Sequence, residues 1–82
     1  MSGGAFDYAF RDVEDFAENL DRWIEEWLVA DEAMPRAVAT LRAIAADARR
    51  TAALMRAAEW LASGDYGEDS FLAEVSAVRG ET

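Results

Sequence analysis

From Asp31 to Ser63 the sequence offers nothing that would stop an α-helix: no glycine, and one proline, Pro35, early enough to fall in a first helical turn, where its missing N–H is not needed. Asp31 is a candidate N-cap with Glu32 behind it in the first turn, and Gly64 suits the left-handed position that follows a helix C-terminus. A helix over about 32–63 is therefore predicted, a rod of ~45 Å at about 1.5 Å per residue. In a chain of 82 residues such a rod dominates the architecture, because the remaining sequence must supply whatever covers it. Its inner stripe reads Val38, Leu41, Ile44, Ala45, Ala48, Ala52, Met55, Ala58 and Ala62, mostly small side chains that permit close approach of another helix but bury little area each.

Two shorter helices are predicted on either side. Phe10, Val13, Phe16, Leu20, Trp23, Ile24, Trp27 and Leu28 recur at steps of three and four, an amphipathic pattern over about 9–29 whose large aromatics, Trp23 and Trp27 included, are expected in the core. This helix reaches only ~30 Å, shorter than the rod it must pair with. Phe71, Leu72, Val75 and Val78 define a last helix over about 67–79, begun either by Asp65 with Glu68 or by Gly67 with Ser70, and ending near Arg79-Gly80. Residues 1–8 precede the helical pattern as an arm, with a Gly3-Gly4 pair and two large aromatics, Phe6 and Tyr8. The expected fold is all-α: a single helical domain over 1–82 with one long central helix, a helical hairpin and a short C-terminal helix. A core this small is marginal, since below roughly 70–80 residues it supplies only about 3–5 kcal/mol. With neither cysteine nor histidine to build a disulfide or a thiolate or imidazole metal site, self-association through the Ala-rich face of the long helix is the expected support, giving an oligomeric bundle.

The same absences bear on chemistry. All eight basic residues are arginine, so histidine, cysteine and lysine, the usual base, thiol and amine, are missing together, and no serine or threonine has an evident activating partner. No catalytic residue, cofactor or metal ligand is expected. Glu14, Glu18, Asp21 and Glu25 lie along one helix face where oxygen ligands could hold a divalent cation, but an acidic row on an amphipathic helix is more often a solvated face. A formal net charge of -9 argues against general DNA binding, which relies on Lys and Arg to neutralise phosphates. With neither a long apolar segment nor a signal-peptide pattern, no membrane association is expected, and action in a cytoplasm is.

The charge is nonetheless unevenly spread. Residues 12–26 hold seven acidic side chains against one arginine, whereas 36–58 hold five arginines against one aspartate. Arg42, Arg49 and Arg56 are seven apart, so they leave the long helix in nearly one direction, drifting about 20° per step, with Arg50 beside them. Two readings stay open. The acidic and basic helices pair with each other, within one chain or between chains, or the guanidinium stripe binds a phosphate-bearing ligand. Trp60, on the continuation of a different face, is the aromatic available to stack on such a ligand.

Both ends of the chain carry a resemblance. Met1-Ser2-Gly3-Gly4 with Phe6 and Tyr8, and Glu59-Trp60, Ser63-Gly64-Asp65-Tyr66 and Glu68-Asp69, resemble the opening and the close of the long helix in a family of short uncharacterised bacteriophage proteins, although Ala5 stands where that family has serine. The resemblance covers about a quarter of the chain. It implies a phage origin and little more; small, non-catalytic phage proteins are often counter-defence factors that work by stoichiometric binding, here in the host cytoplasm. The leading expectation is a homo-oligomeric sponge for an anionic immune signalling nucleotide, cyclic or otherwise, with Gly3, Gly4, Phe6, Tyr8, Arg42, Arg49, Arg50, Arg56 and Trp60 as its ligand-binding residues. The alternatives are an acidic inhibitor of a host defence protein, imitating nucleic acid with the face from Asp12 to Glu26, or a structural or assembly protein. The first test concerns only the backbone: far-ultraviolet circular dichroism should show a helical spectrum without a β component.

Overall fold

The apolar periodicity of the first third of the chain becomes helix α1 over Phe10–Trp23, and the chain winds on as a π-helix over Ile24–Val29. The computed structural model describes residues 5–80, and no strand is present among them. The long helix α2 spans Pro35–Ala62 and the last helix α3 spans Glu68–Arg79. Helix α2 starts three residues later than expected, and Asp31 does not cap it. Ahead of a proline the α region is disfavoured for the preceding residue, so the helix begins at Pro35 itself. Glu32 and Met34 take left-handed backbone angles (φ 54° and 46°), and Met34 O accepts the Ala37 and Val38 N–H groups at 2.9 and 3.2 Å. Gly64 is left-handed, as expected (φ 86°), while Asp65 and Tyr66 both donate their N–H to Trp60 O. Gly67 in extended conformation leads into α3, and Gly80, left-handed, closes it.

Helices α1 and α2 run antiparallel, because Arg42 meets Glu25, Arg49 meets Asp21, and the Tyr8 N–H meets Glu59. The buried residues of each recur at seven: Phe10 and Ala17 on α1 with Ile24 at the start of the π-helix that continues it, and Ala45, Ala52 and Glu59 on α2. The ion-pair register sets Ile24 opposite Ala45 and Ala17 opposite Ala52, a narrow seam of small side chains that allows the two backbones to come close. Leu28, from the π-helical turn, extends the seam toward the hairpin connection, and Ala57 is buried on another side of α2. There α3 lies, with Phe71, Val75 and Val78 half-buried. Helices α1 and α3 do not touch each other.

The three helices thus form one layer with α2 in the middle. The Cα extents are 48 × 30 × 11 Å, a slab about one helix thick, with a radius of gyration of 15.8 Å where a compact chain of this length has ~12 Å. This overturns the expectation for the large aromatics. Phe16, Trp23 and Trp27 are not core: they are 52, 41 and 62% exposed. A helix with a single neighbour buries only a narrow stripe, and these rings lie about 80–120° round α1 from the seam. The Ala-rich stripe is also not free for another subunit along its centre, since Ala45 and Ala52 are covered by α1 of the same chain.

The seam, rather than the ion pairs, should set stability. Ile24→Ala, at a fully buried position, is expected to lower unfolding free energy by about 2–5 kcal/mol. Arg42→Ala, removing an exposed ion pair, should change it by no more than ~1 kcal/mol. Urea unfolding of the two variants measures the contrast.

Candidate functional site

The arginine stripe folds into in-chain ion pairs. Arg42 Nη2 lies 2.7 Å from Glu25 Oε1, Arg49 pairs with Asp21, Arg50 Nη1 lies 3.0 Å from Asp47 Oδ1 one turn away, and Arg56 reaches Glu74 of α3 at 3.9 Å. The groove beside Arg49 is lined by Glu14, Asp15 and Glu18, an environment that repels an anion. Within the single chain, Arg42 and Arg49 pair with the acidic helix, as one of the two readings of the sequence expects, while Arg50 pairs along α2 and Arg56 with α3. The reason is geometric: Asp21 and Glu25 stand on the flank of α1 that antiparallel packing brings against Arg49 and Arg42.

A different cluster forms at the other end of the hairpin, where the arm folds back on the last turns of α2. Glu59 is 1% exposed, the one charged side chain in the buried set. Its Oε2 accepts the Tyr8 N–H at 3.0 Å, and Ser63 Oγ accepts the Ala5 N–H at 3.1 Å. A buried carboxylate is tolerated only when hydrogen-bonded, and a bond from a backbone N–H to a charged acceptor is among the stronger ones. Asp7 and Tyr8 both sit in the left-handed region (φ 56° and 57°), a conformation costing about 1–3 kcal/mol at a non-glycine residue unless its surroundings enforce it. Here Glu59 and Ser63 do the enforcing.

The anchored arm presents aromatics. Phe6 and Tyr8 are 55 and 39% exposed, and the Arg11 guanidinium lies 4.9 Å from the Tyr8 ring centroid. Arg11 makes no ion pair among the described residues. Trp60 is half-buried, edge-on to Tyr66 with ring centroids 5.2 Å apart, and lies under the Arg56 guanidinium at 5.2 Å. Of the residues expected in a site, Phe6 and Tyr8 therefore belong to the arm cluster. Trp60 and Arg56 pair with each other on α2, and Arg42, Arg49 and Arg50 stand apart. Gly3 and Gly4 lie outside the described residues. The arm donors that can be followed, Ala5 and Tyr8 N–H, are spent on α2 rather than offered to a ligand.

Arg11, Glu59, Ser63 and Tyr66 were not singled out from the sequence as site residues. For Glu59 a signal existed: it continues the seven-residue series Ala45, Ala52 and so falls on the seam. For Arg11 none did, since its partner ring belongs to a chain reversal that periodicity does not describe. The segment around Ala5 to Tyr8 and the end of α2 around Glu59 to Ser63 are the ones that meet in this cluster. Compared with known protein families, with curated proteins and with solved structures, the chain matches none.

The anchoring role of Glu59 has a direct readout. Glu59→Leu should speed hydrogen exchange of the Tyr8 amide by roughly tenfold or more, the equivalent of the ~1.5–3 kcal/mol that a hydrogen bond to a charged group contributes. Glu59→Gln, which keeps an acceptor, should have a much smaller effect, and mass spectrometry of the arm peptide separates the two.

Proposed function

We propose that the protein is a non-catalytic bacteriophage accessory factor that acts in the host cytoplasm as a homo-oligomer and sequesters an anionic signalling nucleotide, with the binding site at the arm rather than along the arginine stripe. One observation carries the reading: Tyr8, held in a left-handed conformation by a buried glutamate, stands exposed beside an arginine that has no carboxylate partner among the described residues. Strain retained at a surface aromatic suggests a use for its placement. Phe6 and Tyr8 offer ring faces for a base, and Arg11 offers a planar, permanently charged fork for a phosphate. Sequestration needs no turnover, and a chain without histidine, cysteine or lysine suits that role.

A second reading has its own support. Asp12, Glu14 and Asp15 are without an ion pair among the described residues, and with Glu18 they leave an acidic patch on α1 that could occupy a basic groove on a host defence protein, as a nucleic-acid mimic does. Titration of linear and cyclic nucleotides by calorimetry and thermal shift separates the two. The sponge reading expects the wild type to be stabilised by mass action at ligand concentrations above Kd, Arg11→Glu to lose that stabilisation, and Arg49→Ala to keep it. If no nucleotide binds, or if Arg11→Glu binds like the wild type, the acidic-inhibitor reading replaces it.

A further inference from the structure

The single layer has two broad sides of opposite character. The ion pairs Arg42–Glu25 and Arg49–Asp21 join α1 to α2 on one side. The flanks turned away from them therefore share the other side, where Phe16, Trp23 and Trp27 of α1 stand beside Ile44 and Ala48 of α2. The aromatic three and Ile44 are each more than two-fifths exposed. Large exposed apolar patches on a soluble chain mark a contact surface.

From this we infer that the apolar side of the α1–α2 layer binds a second copy of the same chain, face to face. The chain exposes 5657 Å², whereas a compact folded monomer of 9.0 kDa is expected to expose about 4,850 Å². The excess belongs to the one-layer slab as a whole, and its size, roughly 800 Å², is of the order that one partner contributes to an interface of standard size. The largest rings of the face lie on the α1 side, and Ile44 and Ala48 lie on the α2 side. A two-fold axis running along the face between the helices lays the aromatic flank of each copy on the Ile44–Ala48 flank of the other, which is an isologous contact. The outcome is a four-helix core in which each α1 and α2 finally has a second layer to pack against.

Each copy carries a net charge of -9, so association works against repulsion between like-charged copies, and added salt should tighten the dimer by screening it. This inference rests on the homo-oligomer named in the proposed function but uses residues other than Phe6, Tyr8 and Arg11, so a monomeric wild type that still bound nucleotide through Arg11 would overturn the interface and leave the binding site standing. Sedimentation of the full chain at micromolar concentration should give twice the 9.0 kDa chain mass or an even multiple of it, with a Kd that falls as sodium chloride is raised. Trp27→Glu and Ile44→Glu should each weaken the dimer by roughly thirtyfold or more, the effect of a central interface side chain, whereas Arg42→Ala on the opposite side should leave it intact. Hydroxyl-radical footprinting of the wild type, which needs no variant, should find Trp27 protected beyond its single-chain exposure of 62%. A wild type at the single-chain mass, association that weakens with salt, or a Trp27 labelled as readily as a solvent-exposed tryptophan would each overturn the inference.

Discussion

The close seam between α1 and α2 organises the rest of the molecule. It is made of Ala17, Ala45 and Ala52 with Ile24 as its one large, fully buried aliphatic side chain. Small residues bring two helices together but remove little apolar area from water, at ~25 cal/mol per Å². The seam fixes register and direction, and it leaves the larger rings outside. Phe16, Trp23 and Trp27 end up on a flank because a two-helix contact has no room for them on its axis. The slab shape and the apolar side follow from that one choice of side chains.

Electrostatics then completes what packing begins. An antiparallel seam places the acidic flank of α1 against the basic flank of α2, so Arg42 and Arg49 find Glu25 and Asp21 without rearrangement. These pairs are about half exposed, and such pairs contribute about 0–1 kcal/mol each. Their effect lies in selection: a parallel arrangement or a register slipped by one heptad would set some of these charges against the wrong partners. The same pairing engages Arg42 and Arg49 within the chain and leaves Arg11, outside the paired region, beside the exposed Tyr8 ring.

The arm depends on the seam as well. Glu59 occupies the position that an alanine holds one and two heptads earlier, so the seam ends in a carboxylate at the place where α1 begins. Its bond to the Tyr8 N–H closes the hairpin's open end and fixes two consecutive left-handed residues. Backbone strain, a buried charge and exposed aromatics thus gather at one spot.

Several features were legible in the sequence because they depend on local chemistry. The helical character, the left-handed glycine at Gly64, and the segments forming the three helices follow from periodicity, from the conformational freedom of glycine and from the placing of Pro35. The charge asymmetry of the two long segments was equally plain, and so was the possibility that they pair. The burial of particular residues was not legible. Periodicity marks a helix's apolar face but does not say how wide a stripe its neighbour will cover, so Trp23 and Trp27 read as core when one neighbour covers only the stripe through Ala17 and Ile24. The site lay further from reach still, because Tyr8 and Glu59 are 51 residues apart and meet only after the hairpin has closed. Sequence determined the elements and the charges they carry; the antiparallel seam decided which faces are spent within the chain and which remain to bind.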